Sequence, residues 1–454
     1  MCTFKVGFSK INVDPPLGIG VDGYFVPRYA KGYLDNLEVR MLAFSLDEKI
    51  VLMISVPVCE IRKETYLEYC KKIEKKTGIK SNSIFMSATH THTGGVIATG
   101  APFEIDEELT YKYSSFLGDR IADAAVLALS DLANAKMGYI MGNAPDRIAY
   151  IRRYRMKDGS TFTRPPINDP NIVCALGELD QRVHVLRFDR TGKKSIVLVN
   201  YGLHADTING EMLSSDWPHW MYKTIDAALD GTETIFFNGA EGDVGSTHVF
   251  PEGGDMNDTE ISFDNEMKSP GMARFVGRAV AGTVLQVFDK VHYVDINALV
   301  IKKKKILVSS NIPLPEEMPL ARKYKELHEA GKDSEIPYEA MELTTVVAEA
   351  IRMCSLENGP KEAELELTGL RLGDVAFLGI PGEPFTELGV EIKKTGGYRM
   401  IMPCALTNGA EGYFPSASAF DEGGYEARSS NYKRDSAEKI ISGAKELLWD
   451  IRNK

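Results

Sequence analysis

Five short stretches of this 454-residue chain collect residue types that do chemistry. Ser87-Ala88-Thr89-His90-Thr91-His92-Thr93-Gly94-Gly95 sets two histidines two apart among threonines, directly after the apolar run Ile84-Phe85-Met86. Tyr201-Gly202-Leu203-His204-Ala205-Asp206 puts a third histidine behind another apolar run. Asn238-Gly239-Ala240-Glu241-Gly242-Asp243 is a glycine-rich acidic loop, and Pro381-Gly382-Glu383 carries a carboxylate just before a helical pattern. Gly412-Tyr413 is followed a dozen residues later by Gly423-Gly424-Tyr425-Glu426-Ala427-Arg428. Alternate residues of a strand point to one side, so His90 and His92 are expected to converge; on a helix they would diverge.

Taken singly, each stretch has a structural explanation. A histidine is commonly a hydrogen-bonded core residue, a carboxylate before a helix is a dipole partner, Asn-Gly marks a turn, and a tyrosine beside glycine packs. Together they are the donor types of a catalytic zinc, which takes three or four N/O ligands and keeps one position for water. His90, His204 and Glu383 are the candidate ligands. The charge of such an ion lowers the pKa of bound water from about 15.7 to about 7, giving hydroxide at neutral pH. His92 is then free as general base, general acid or oxyanion donor, and spacing alone does not choose among these roles.

Strands and helices must bring these loops together. Strands are expected at 51–56, 83–88, 183–188, 196–199 and 235–237. A polar-faced helix is expected at 64–76. Three-to-four spacing places further helices from Tyr113 to about residue 133, after Pro218, and along Met272, Val276, Ala279, Thr283 and Val287. Strand, loop and helix in repetition predict an α/β fold, with mixed β-sheet layers, flanking helices and a metal site on loops at strand ends. From about Asn311 to Pro360, prolines and paired charges replace the strand pattern. That segment reads as an insertion or lid in one catalytic domain spanning 1–454. A hairpin around Gly373-Asp374 and a final helix at 437–452 complete the pattern.

The net charge of −11 excludes nucleic acid as the main partner, because phosphate binding needs a basic face. No apolar run is long enough to span a membrane. The first residues carry no apolar signal core. The six cysteines (Cys2, Cys59, Cys70, Cys174, Cys354 and Cys404) are scattered, which predicts free thiols and a cytoplasmic protein.

The stretches VGFSKINVDPPLGIGVDGY (6–24), THTHTGG (89–95), LHAD (203–206), GAEGDVGS (239–246), PGEPFTE (381–387) and GYFPSASAFDEGGYEARSS (412–430) occur in the same order as in a known family. The chain resembles the catalytic domain of the neutral/alkaline, non-lysosomal ceramidases over nearly its whole length. That family cleaves the amide of ceramide with zinc. The resemblance implies zinc on His90, His204, Glu383 and Tyr413, with His92 beside the metal as an acid/base or substrate-contacting residue. It also implies Tyr425 at the oxyanion and an arginine, Arg152 in preference to Arg153. Three features depart from the family. The chain ends before the family's C-terminal β-sandwich, it lacks the usual signal, and Gly245 stands where the family has a serine, which argues against a serine mechanism there.

The resulting expectation is a zinc-dependent hydrolase of a ceramide-like N-acyl amide, using a metal-bound hydroxide. Asp206, Asn209, Glu211, Asp216, Trp217, His219 and Trp220 near the motifs would also suit a polar, sugar-like small molecule. The alternatives are a zinc hydrolase of an ester, lactone or carbohydrate-linked substrate, and a metal-stabilised binding protein without turnover. Mn²⁺ or Fe²⁺ would also fit such ligands.

Overall fold

The computed structural model describes residues 3–99, 103–251, 260–261 and 267–453. A large sheet is built from β1 (Phe4–Asn12), β2 (Glu38–Leu46), β3 (Lys49–Val56), β4 (Ile84–Ala88), β5 (Ala133–Asn143), β6 (Arg182–Arg190), β7 (Ser195–Tyr201) and β8 (Thr232–Asn238). Their order is β8-β7-β6-β5-β1-β2-β3-β4, with β9 (His292–Val294) beside β5. β7 with β8 and β3 with β4 run parallel, and the other neighbours along this path run antiparallel. A second sheet has the order β10 (Leu299–Ser309), β11 (Glu362–Leu372), β12 (Val375–Gly379), β13 (Met400–Cys404). Its last pair is parallel.

Period-two patterning explains the layers. In β2, Val39, Met41 and Ala43 face one core while Leu42, Phe44 and Leu46 face another. In β12, Val375 and Phe377 join that second core, and Ala376 and Leu378 turn the opposite way. Strands buried on both faces read as continuous apolar runs, and the shared core between the two sheets is such a sandwich interior. Helices α1 (Lys63–Thr77) and α2 (Glu107–Ser130) cover the β1–β4 half of the large sheet. Helices α3 (Trp217–Ala228) and α4 (Pro270–Val287) cover the β5–β8 half.

The 311–360 segment contains α5 (Met318–Glu329) and α6 (Ala340–Leu356), a helical hairpin inserted between the adjacent strands β10 and β11. The chain continues through α7 (Thr386–Lys393), α8 (Ala417–Glu422), α9 (Tyr425–Ser429) and α10 (Asp435–Arg452). α7 and α10 cover the outer face of the small sheet. The expected hairpin turns at Gly373, whose φ of 57° is left-handed. Mixed α/β layers are therefore present as expected, and most of β11 and β12 form the expected hairpin, while the strands β2, β5, β10 and β13 were not among the sequence expectations.

Sheet twist brings distant loops to one place. Roughly 20–25° per strand, accumulated over eight strands, is about half a turn. The edge strands β4 and β8 approach each other, with the Phe85 and Phe237 rings 6.2 Å apart, and β8 is tied to β3 and β2 by Ser55 Oγ donating to the Phe236 carbonyl (2.7 Å) and Arg40 Nη1 to that of Thr234 (2.6 Å). The Asn238 side chain at the end of β8 donates to the carbonyls of Thr89 and Leu203, joining the loops after β4 and β7. The Ala405 amide, just past β13, donates to the Asn238 carbonyl (3.1 Å). Cys59, Cys70, Cys174, Cys354 and Cys404 are free thiols, and Cys2 lies outside the described residues. No helix among the described residues is long and apolar enough to cross a membrane.

Candidate metal centre

His90 and His92 do converge, but not by strand alternation. β4 ends at Ala88, and His90 takes a left-handed φ of 66°. Its amide donates to the Val58 carbonyl (3.1 Å), and that of His92 to Ala205 (3.0 Å). A non-glycine residue held at positive φ needs surrounding contacts to enforce it, and here they aim the two rings edge to face, 4.7 Å apart, with their Nε2 atoms 3.2 Å from each other. The threonines are scaffold: Thr91 and Thr93 hydroxyls both donate to the Ser214 carbonyl, at 2.8 and 3.1 Å. Gly23, at φ +100°, lies so close that a Cβ there would stand 2.6 Å from the His92 ring.

Three atoms meet at the centre. Glu383 Oε2 lies 3.2 Å from His90 Nε2 and 3.2 Å from His204 Nε2. All three residues are buried. Each imidazole has its Nδ1 on a backbone carbonyl, His90 on Cys59 (2.9 Å) and His204 on Glu241 (2.8 Å). An Nδ1–H donor leaves Nε2 with a lone pair, so two nitrogen lone pairs and a carboxylate face one another, and Glu383 Oε2 has no hydrogen-bond donor. Buried acceptors crowded in this way need a cation or a proton between them. The carbonyl-to-imidazole contacts are those that orient metal-binding histidines. The residues present therefore fit a metal ion. Cys59 Sγ lies on the Nδ1 side of His90, 3.6 Å away, and a site with it would use the opposite edge of the ring; burial pushes that thiol up to about 12.

Without a metal, a proton does part of the same work. Burial alone would pull the His90 pKa down, but the Glu383 carboxylate lifts it well above the usual histidine value. Burial would raise Glu383, and His90 with His204 holds it well below the usual range. His204 is lowered to about 3 by burial and by the Arg152 charge. His92 is also held neutral, by burial and by His90, His204 and Lys268, against the pull of Asp206.

Arg152 lies in this centre and Arg153 does not. The Arg152 guanidinium reaches His204 Nε2 (3.1 Å), the Tyr413 hydroxyl (3.0 Å), the Gly242 carbonyl (2.9 Å) and Glu426 (2.7 Å). An ion and Arg152 compete for the His204 lone pair. Arg153 instead points to Glu422 and the Gly423 carbonyl. Tyr413 pairs with Glu383 in a short parallel bridge, and its ring lies 5.5 Å from that of Tyr425, edge on. Burial, with Glu383 nearby, lifts both phenols well above their usual value. The Gly245 backbone lies beside Arg152.

Other residues of the site had weaker sequence signals. Asp206 is buried and accepts from Tyr24 (2.6 Å), Arg164 (2.9 Å) and Lys268 (2.7 Å), with His92 Nδ1 3.7 Å from the Oδ1 that Tyr24 also contacts. Asp206 sits two residues from His204, which was a usable hint. Lys268 and Arg164 come from remote segments without a motif, whereas Tyr24 closes the 6–24 stretch. Glu241 is fully buried with neither carboxylate oxygen bonded, and burial raises it well above the usual range. Of the polar residues expected near the substrate, Trp217 is core, donating to the His204 carbonyl (3.1 Å). Asp216 caps α3, and His219 faces Asp35.

No protein-family model matches this sequence, and no curated protein does. Solved structures do match. A crystal structure of neutral ceramidase from Pseudomonas aeruginosa superposes with a TM-score of 0.72 at 14% identity, covering 100% of this chain and 75% of that one. A ceramidase complexed with C2 gives 0.73 at 14% identity, covering 99% and 76%. The chain has the neutral ceramidase fold. At this identity a ceramidase fold speaks to architecture and leaves the chemistry to the residues of the centre.

Proposed function

We propose that this chain is a zinc-dependent hydrolase that cleaves the amide bond of a ceramide-like N-acyl amide. The observation that carries the reading is the convergence of His90 Nε2, His204 Nε2 and Glu383 Oε2 with both Nδ1 atoms already committed to carbonyls. Tyr413 adds a fourth donor beside Glu383. A bound zinc ion would supply Lewis-acid polarisation of the amide carbonyl and water of lowered pKa. The remaining chemistry belongs to the chain. Tyr425 and Arg152 donate hydrogen bonds to the carbonyl oxygen as it gains charge. His92, a neutral imidazole beside the centre, takes a proton from the attacking water and passes it to the leaving nitrogen. The ceramidases that share the fold supply the substrate class.

A second reading, hydrolysis of an ester, lactone or carbohydrate-linked substrate, is favoured by one observation. The wall beside His92 is polar, formed by Asp206, Arg164, Lys268 and Tyr24. A panel of N-acyl amides, esters and glycosides, run on zinc-loaded protein, separates the two. Turnover of none of them, by protein that holds one zinc per chain, would leave a metal-stabilised binding protein.

A further inference from the structure

We propose that the helical hairpin α5–α6 positions Tyr425 through an ion pair between Glu349 and Arg428. β10 and β11 are antiparallel neighbours, registered from Leu299↔Leu372 to Ser309↔Glu362, and need only a short turn between them. The hairpin that replaces this turn touches both walls of the centre. On one side Phe25 packs on Ile336, Val346 and Val347 of the insertion. Its chain neighbour Tyr24 meets the His92 ring edge on at 5.6 Å. On the other side Glu349 of α6 accepts from Arg428 Nε (3.0 Å) and also from its Nη2.

Arg428 lies one turn after Tyr425 on α9, a helix of five residues that is too short to be stable by itself. Its far end is tied to the same insertion. Asn311 Nδ2 donates to the Ser430 carbonyl (3.1 Å), the Asn311 amide to that of Asn431 (2.8 Å), and Arg352 of α6 to the Asn311 carbonyl (2.7 Å). Between Thr163, Met341, Thr345 and Tyr425 there is a cavity of about 30 Å³, room for a water, so packing between α6 and the tyrosine leaves a gap there. The pair is half-buried, at 21% and 36% side-chain exposure, and an ion pair of that kind contributes little to global stability. Its effect falls on where α9 sits. Arg428 and Glu349 are thus positioning residues. The catalytic part of this inference rests on Tyr425 acting as proposed above; the positional part does not.

The test uses full-length protein with 3-fluorotyrosine at position 425, in the variants Glu349→Gln, Arg428→Gln and the double variant. The expected result is that either single variant shifts or broadens the fluorine resonance of residue 425 while the thermal midpoint stays near wild type. The double variant should be no worse than either single one, because both remove one interaction. On an N-acyl amide, kcat falls by up to about 100-fold with KM nearly unchanged, as expected when a reacting group is misplaced. An unchanged resonance in Glu349→Gln, or additive effects in the double variant, overturns the proposal. If wild-type protein hydrolyses no amide while the resonance responds as described, the positioning stands and the hydrolase reading falls.

Discussion

Two lone-pair nitrogens and one undonated carboxylate oxygen at 3.2 Å define what each residue of the centre is expected to do. Replacing His90, His204 or Glu383 by Ala removes a ligand and is expected to strip the metal, as read by elemental mass spectrometry. His92→Ala and Tyr425→Phe are expected to keep about one zinc per chain and lose turnover by about 10²–10⁴-fold, the usual contribution of a proton-transfer group. Zinc bound to His204→Ala as tightly as to wild type would refute the ligand set. Backbone proximity matters at the same scale. A Cβ on Gly242 would stand 2.5 Å from the Glu383 carbonyl oxygen, and the Gly242 amide donates to the next carbonyl, that of Pro384 (3.0 Å), so the two segments cannot separate without losing that bond. Gly242→Ala is therefore expected to displace Glu383 and weaken metal affinity at least tenfold, measured by competition with a chromogenic chelator.

Among the elements, α7 shows how a loop and a helix are locked together. Asp243, from the acidic loop after β8, accepts from the Thr386 amide and hydroxyl, both at 2.8 Å, at the first residue of α7. That places the loop carrying Glu241 against the helix that follows Glu383. Burial raises the Asp243 carboxyl to about 6 despite these two donors. Between the unfolded carboxylate value of about 4 and this raised value, the native state holds a proton that the unfolded chain has lost. Stability from this group is therefore present on the acid side and falls as pH rises through about 4 to 6. Asp243→Asn keeps an acceptor for Thr386 and removes the titration, so urea denaturation midpoints of the variant should vary less over that window. An identical pH dependence in both proteins would exclude the assignment.

At the scale of the whole molecule, the centre exists because two sheets pack face to face. Phe85 on β4, Phe237 on β8 and Phe377 on β12 meet in the shared core, with ring centroids 6.2 and 6.3 Å apart along the chain of contacts. These three strands feed His90, Glu241 and Glu383 respectively. Phe377→Ala leaves a cavity at the sheet–sheet boundary and is expected to cost about 3–5 kcal/mol, measured from the denaturant midpoint. A loss below about 1 kcal/mol would mean that this boundary is not tightly packed.

The sequence by itself determined the layered α/β class and the helices that cover the sheets, because period-two and three-to-four patterns are local consequences of burial. It also marked His90, His92, His204 and Glu383, since each follows an apolar strand within a few residues. The tertiary structure decided what local pattern cannot encode. It placed His90 in a left-handed conformation, so the two rings meet for a reason other than strand alternation. It turned Arg152 into the centre and Arg153, equally buried, away from it, a choice set by Glu426 and Glu422 more than 260 residues away. It brought Lys268, Arg164 and Tyr24 to Asp206, and it sent Trp217 into the core. These are long-range contacts created by sheet twist and by the packing of one sheet on another, and no window of neighbouring residues contains them.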